Sequence, residues 1–335
     1  MTALSNDNPT LTDLAASLDP QGAVAKVVEM LNQTNEILAD MTVMEGNLQN
    51  GHKSVIRTGL PTPTWRKLYG GVQPTKSTRV PVVDSCGMLE AYAECDKALA
   101  DMSGDLGAFL LSESKPHIEA MGQTVSSTLF TGNELTAPET FTGFAPRYND
   151  LTTAQSKDNI VSGASTHASE NASIYLVVWS PETVTGITPK GSKAGLSVTD
   201  KGLITIENVD GAGGRMEAYR THFKWDIGLC VRDWRYVVRI ANINRNTLKG
   251  DAASGAKLLD LMDDAIDRVP SLSMGRPAFY MDRELMSFFR RQAKASISSS
   301  TLNIEQQRNG IPMMTYMGIP VRRVDALNQN ETLVS

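Results

Sequence analysis

Apolar residues recur at Leu106, Phe109, Leu110, Met121, Val125 and Leu129. Within each half the spacing is three or four, which puts one helical stripe toward a core. Asp101 or Ser103 can cap the start and Gly132 can end it, so the pattern predicts a helix over 103–132. Pro116 stands in the middle, where it removes a backbone donor and crowds the preceding turn. The stretch is one long kinked helix or two helices meeting at Lys115–Pro116, and we expect the long kinked helix.

The same reading places other elements on both sides. Residues 1 to about 18 are polar with scattered leucines and read as a mobile arm. A helix follows, capped by Asp19 with Pro20 first, its stripe formed by Val24, Val27, Val28, Leu31 and Leu38. Cys86 to Met102 reads as a short helical stretch. Thr152 to Ser173 is small and polar, a surface loop. Ile174 to Trp179 is a buried strand by its β-branched and aromatic content. Gly186 to Gly214 reads as glycine-rich loop around one strand, Leu203 to Ile206. Strands are expected at Arg215 to Trp225 and at Leu229 to Ile243, where Trp234, Tyr236, Val238 and Ile240 alternate with polar residues. The last third predicts a helix over Asp251–Val269, a strand Ala278–Met281, a helix Asp282–Lys294, and strands Pro312–Met317 and Ile319–Val324.

Leu48 to Asp84 fits none of these patterns. It holds Gly51, Gly59, Pro61, Pro63, Gly70, Gly71, Pro74 and Pro81, and its charges are Lys53, Arg57, Arg66, Lys67, Lys76 and Arg79 against Asp84. A connection this long without its own core is functional or disordered. We expect a two-stranded excursion in which Thr75–Val83 pairs with the segment RTGLPTPTWRKLYGGV. Trp65, Leu68 and Tyr69 would face water there, and Trp, Tyr and Arg are residues that interfaces favour. Arg57, Trp65, Arg66, Lys67, Tyr69, Lys76 and Arg79 are therefore the candidate self-assembly residues.

Composition narrows the function classes. The 335 residues suffice for two compact units, and a net charge of −5 argues against a chain that binds nucleic acid through overall charge. No apolar run approaches a membrane span, and the N-terminus lacks a signal peptide's basic and apolar regions. Cys86, Cys95 and Cys230 are odd in number and scattered, which fits a reducing site of synthesis. His52, His117, His167 and His222 have no paired-ligand spacing. Asp260, Asp263, Asp264 and Asp267 share a helical face, and a solvated or interfacial acidic face is the simpler reading than a metal site. Gly186 and Gly191 are spaced like a phosphate loop, but Ser192 stands where lysine is required. The glycines at 211, 213 and 214 precede a strand rather than a helix. No nucleophile elbow or assembled triad is legible. The arginines and aromatics of WDIGLCVRDWRYVVRIANINR raise a DNA-binding module as a rival, though their face is shared with Val238 and Ile240, which suggests packing. We expect no catalytic residues, metal or cofactor.

Five stretches in order resemble the major capsid proteins of tailed bacteriophages, most closely those of short-tailed phages like epsilon-fifteen. They are VVEMLNQTNEILADMTVMEGN, RTGLPTPTWRKLYGGVQPTKSTRVPVVDS, STLFTGN with FTGFAPRYND, WDIGLCVRDWRYVVRIANI, and PAFYMDRELMSFF with MGIPVRRVDAL. The resemblance implies the α+β tailed-phage capsid fold. Its parts would be an N-terminal arm (1–45), an extended loop (46–84), a peripheral domain (85–245) with spine helix 103–132 and long strands, and an axial domain (246–335). It implies hexamers and pentamers closing an icosahedral shell around double-stranded DNA held without sequence specificity. It also implies scaffolding, portal and decoration partners, no membrane partner, assembly in the bacterial cytoplasm, and no scaffolding segment ahead of the loop. Some relatives bond a loop lysine covalently to a neighbour, but no motif selects among Lys53, Lys67 and Lys76. The rivals are a bacterial nanocompartment shell of the same fold, a metal-dependent enzyme on the Asp260–Asp267 face, and the DNA-binding module.

Overall fold

The structure is a computed structural model that describes residues 35–192, 194–207, 214–250, 257–295, 302–306, 312–327 and 330–335. The strands in chain order are β1 (Val43–Glu45), β2 (Gly51–Gly59), β3 (Thr78–Asp96), β4 (Ile160–Ser162), β5 (Asn171–Trp179), β6 (Val184–Thr188), β7 (Ser197–Glu207) and β8 (Arg215–Val231). They continue with β9 (Val237–Asn244), β10 (Arg276–Met281), β11 (Leu302–Gln306), β12 (Pro312–Tyr316) and β13 (Ile319–Arg323). The principal helices are α1 (Leu106–Thr131), α2 (Leu258–Arg268) and α3 (Arg283–Ala295), with single turns such as Lys97–Met102 and Phe144–Arg147. The predicted arm and the start of the first helix lie outside the described residues, which enter that segment only at the turn Ile37–Asp40.

The larger of two units comprises 35–87, 126–194 and 227–335. Its sheet runs β11-β12-β13-β10-β5, with β9 on β5, β4 on β9, and β6 following β5. All nine residues of β5 and all eight of β9 are buried. On one face Ile174, Leu176, Val178, Val238 and Ile240 pack with Leu258, Met262 and Ala265 of α2 and Leu285 and Phe289 of α3. On the other, Tyr175 meets Phe130 and Phe144, and Trp179 Nε1 donates to Tyr280 Oη at 2.7 Å. Burial on both faces is why SIYLVVW reads as an unbroken apolar run rather than an alternation. Asp282 Oδ2 accepts from Glu284 N at 3.1 Å, the cap expected for α3.

The smaller unit, among the described residues, comprises Met88–Val125 and Gly195–Asp226. Cys95, Leu99, Ala100 and Phe109 form its core, with Leu110 and Tyr219 against it. β7 pairs antiparallel with β8, and Arg220 and His222 of β8 bond Glu94 and Glu90 of β3 at 2.5 and 3.1 Å.

α1 runs through Pro116 as one helix, with Phe109, Met121, Val125, Leu129 and Phe130 buried. Pro116 forfeits one backbone bond, and the buried stripe on either side carries the helix across it.

Several expectations are corrected. Cys86–Asp96 is the outer half of β3, and only Lys97–Met102 is helical. Leu89, Ala91, Ala93 and Cys95 alternate with Glu90, Tyr92 and Glu94, so the period is two despite helix-forming residue types. The partner of β3 in the excursion is Gly51–Gly59, not the segment beginning at Arg57. Three prolines between 60 and 77 cannot donate to a ladder, so pairing stops at Gly59. The strand boundary falls at 232–236 rather than 226–228, because Asp233 Oδ1 accepts from Arg235 N at 3.1 Å and closes a helical turn at Trp234–Tyr236. Ile160–Ser162, within the first expected loop, is a strand, and so is Val184–Thr188, which runs into the second. β7 spans Ser197–Glu207, longer than the strand expected at Leu203–Ile206. α2 begins at Leu258, and residues 251–256 of the expected helix lie outside the described residues.

Candidate assembly surface

β2 and β3 rise antiparallel and carry the hairpin 60–77 at their end. A turn closes it, with Gly70 N donating to Lys67 O at 3.0 Å and Tyr69 at φ 64. Trp65 and Tyr69 are each 101% exposed, and Leu60 and Leu68 are nearly so. Arg57, Arg66, Lys67, Lys76 and Arg79 are exposed too, and among the described residues none is in a salt bridge. Arg57 and Arg79 stand directly opposite in the ladder. Like charges so placed repel. The surface therefore presents aromatic area and positive charge for which the described residues supply no cover.

The root of the hairpin is built very differently. Asp84 of β3 is buried, and its Oδ1 accepts from Arg147 Nη2 at 2.8 Å. The same guanidinium donates to Thr142 O and Leu229 O, at 3.2 and 3.4 Å. Arg147 thereby ties the segment FTGFAPR to β3 and β8. Beside it, His52 is 6% exposed, and its Nε2 lies 2.9 Å from Arg232 Nη2. A guanidinium only donates, so Nε2 accepts and the proton sits on Nδ1, which is buried without a partner among the described residues. Burial, then the Arg232 charge, lowers the His52 pKa below its usual 6.5, against the opposing pull of Asp84. None of His52, Asp84, Arg147 or Arg232 is among the candidate self-assembly residues. Their signal was available only as the loop's lone acid and an arginine inside FAPRY.

This root predicts a pH dependence. The folded form holds His52 neutral, so its stabilising effect is complete above the ordinary histidine pKa. It is lost as pH falls from about 6.5 toward the lowered folded value. His52→Gln keeps an acceptor for Arg232 without titrating. Thermal unfolding of the unassembled chain between pH 7.5 and 5 should therefore fall less steeply for His52→Gln than for the unaltered chain.

The rival sites resolve into packing. Arg239 and Tyr236 are buried, Arg235 pairs with Asp233 at 2.7 Å, and Arg232 meets His52, so the interleaved arginines are internally committed. Asp263 Oδ1 accepts from Tyr316 Oη at 2.6 Å, while Asp260 is exposed 4.0 Å from Lys257. No three His, Cys, Asp or Glu side chains converge on a metal position among the described residues. Gly186 lies within β6, paired to Val43, and not in a phosphate loop. Cys95 and Cys230 are buried thiols, and burial pushes Cys95 to about 11 and Cys230 to about 12. No described helix is long and apolar enough to cross a membrane.

Residues 19–335 match the family model described as major capsid protein GP7. A chain of the near-atomic structure of bacteriophage Epsilon15 aligns over 100% of both chains at 34% identity, with a TM-score of 0.78. The bacteriophage JBD30 capsid aligns over 90% of this chain and 93% of its own at 11% identity, TM-score 0.47. The encapsulin of Synechococcus elongatus covers 70% and 97% at 12% identity, TM-score 0.43. Among curated proteins there is no match.

Proposed function

Because the chain belongs to the GP7 family of tailed-phage major capsid proteins, we propose that it closes an icosahedral shell in which the hairpin 60–77 lies on a neighbouring copy. The chain is a structural component of the phage virion capsid, has the tailed-phage capsid fold, and associates with itself. The finer reading is that hexamers and pentamers form the shell around double-stranded DNA. The partners are a separate scaffolding protein, a portal and decoration proteins, with assembly in the host cytoplasm. In this reading 1–45 is the arm, 46–84 the extended loop and 103–132 the spine of a peripheral domain. The axial domain includes 246–335, together with strands β5 and β9 to which β10 and its neighbours are joined.

The observation that carries the proposal is the fully exposed Trp65 and Tyr69 among cations that form no salt bridge with the described residues. A standard interface buries about 1,600 Å², and affinity is what remains after ordering costs. A shell subunit makes several such contacts, so each can be weak while the closed particle is stable. Arg57, Trp65, Arg66, Lys67, Tyr69, Lys76 and Arg79 are the residues we assign to that contact. The net charge of −5 also suits a container whose DNA must move during filling. Nuclease treatment of native particles tests the contents. Protected double-stranded DNA supports the phage shell, and DNA-free particles holding a cargo protein would favour a nanocompartment.

A further inference from the structure

We propose that the exposed acids of α2, Asp264 and Asp267, meet the exposed arginines of α3, Arg290 and Arg291, of a second copy. The inference rests on the self-assembly reading above and names one contact within it. α2 and α3 pack on one core, and Leu258 N donates to Gln292 Oε1 at 2.9 Å where the two helices meet. Each helix buries one stripe there: Leu258, Met262 and Ala265 from α2, and Leu285, Phe288 and Phe289 from α3. The charged residues occupy what is left of each surface.

Most of those charges are answered within the chain. Asp263 accepts from Tyr316 Oη, and Asp260 has Lys257 beside it. Arg268 Nη1 donates to Ile160 O at 2.7 Å, and Arg283 pairs with Asp325 at 3.1 Å. Two acids and two bases are left over. Asp264 and Asp267 are exposed, lie three apart on one helical face, and have no hydrogen-bond or ion-pair partner among the described residues. Arg290 and Arg291 are exposed and reach no carboxylate among the described residues. Arg290 Nε donates one turn back to Met286 O at 3.3 Å, and Arg291 lies 5.4 Å from the Phe288 ring centroid. The helices touch, yet these acids and bases do not neutralise one another within one copy.

Charge complementarity selects the occupant. A second copy carries both halves of the contact, so the acids of one copy can be answered by the arginines of the next. In a shell made of closed rings such a contact runs head to tail, because a contact between two different patches repeats around the ring. Acid against acid, or arginine against arginine, would repel and so disfavours wrong placements. A guanidinium suits the role, since its forked donors take a carboxylate in two parallel bonds. Ion pairs at a solvated edge are individually weak and screened by salt. That weakness lets subunits correct their placement before the shell closes.

Charge exchange in the full-length chain, expressed with the other head proteins of its phage, tests this. Sedimentation gives particle yield and circular dichroism gives folding. Asp264→Lys/Asp267→Lys should lower particle yield about 10-fold, and so should Arg290→Glu/Arg291→Glu, because each sets like charges in contact. All four substitutions together restore opposite charges and should return the yield to within about twofold of the unaltered chain. If a reversed chain does not fold, Asp264→Asn/Asp267→Asn and Arg290→Gln/Arg291→Gln take its place. Each neutral pair should lower the yield, and the fourfold neutral variant should lose no more than either pair. Normal yield from both pairs overturns the proposal. So does a fourfold reversal that assembles no better than the pairs, which would mean that the acids meet a different cation, and so do additive losses in the neutral series. Particles from the unaltered chain report separately on the self-assembly reading, and their absence would overturn that reading and this contact with it.

Discussion

Arg239→Met is expected to destabilise the folded, unassembled chain by roughly 3–5 kcal/mol, read from urea unfolding. Arg239 is 4% exposed at the centre of the larger unit. Its Nη2 donates to Glu331 Oε2 at 2.8 Å, its Nη1 to Tyr148 O at 2.7 Å, and its Nε to Ser173 Oγ at 3.1 Å. It also lies 5.7 Å from the Tyr175 ring centroid. Ser173 in turn donates to Glu331. Methionine fills much of the same volume but leaves a buried carboxylate without its cation, which is the costly outcome. Around it the C-terminal residues are stitched to the sheet, with Glu331 N bonded to Asn171 O at 2.8 Å and Val334 N to Asn242 Oδ1 at 2.9 Å. Arg239→Met/Glu331→Leu removes both charges and should be markedly more stable than Arg239→Met alone. Equal loss in the single and double variants would show that the ion pair is not what the position contributes.

Arg66→Glu and Trp65→Ala are expected to leave unfolding of the isolated chain within about 0.5 kcal/mol of the original and to block or sharply reduce shell formation. Trp65 is fully exposed, so truncation removes no intramolecular packing. In an interface the same ring is an anchor, and losing one such residue costs on the order of 2 kcal/mol or more per contact. That loss recurs at every equivalent contact, which multivalency turns into failure to close. Arg66→Glu reverses a charge within a surface that also holds Lys67, Lys76 and Arg79, and converts attraction to an acidic partner into repulsion. Sedimentation shows assembly and circular dichroism shows folding. Normal particles from both variants would place the assembly contact elsewhere.

The sequence made some elements plain and hid others for physical reasons. α1 was legible because its stripe is a local pattern, and Pro116 blurred only whether it was continuous. β5, α2 and α3 were legible through burial and the capping Asp282. The outer half of β3 was misread because Ala, Leu and Glu favour helices, while its period of two is enforced by Arg220 and His222, more than a hundred residues away. β6 was hidden because Gly186 and the flanking Pro181 and Pro189 resemble loop composition. The hairpin declared itself through missing core pattern, prolines and unbalanced cations. Its root did not, because Asp84 meets Arg147 across 63 residues and His52 meets Arg232 across 180. Such pairings leave no periodicity to read.

The most direct measurement is a cryo-electron microscopy map of particles from the unaltered chain expressed with the other head proteins of its phage. The account predicts a closed icosahedral shell in which Trp65 and Tyr69 are buried against a neighbouring copy. A chain that stays monomeric, or a shell in which the hairpin 60–77 projects into solvent, would contradict it.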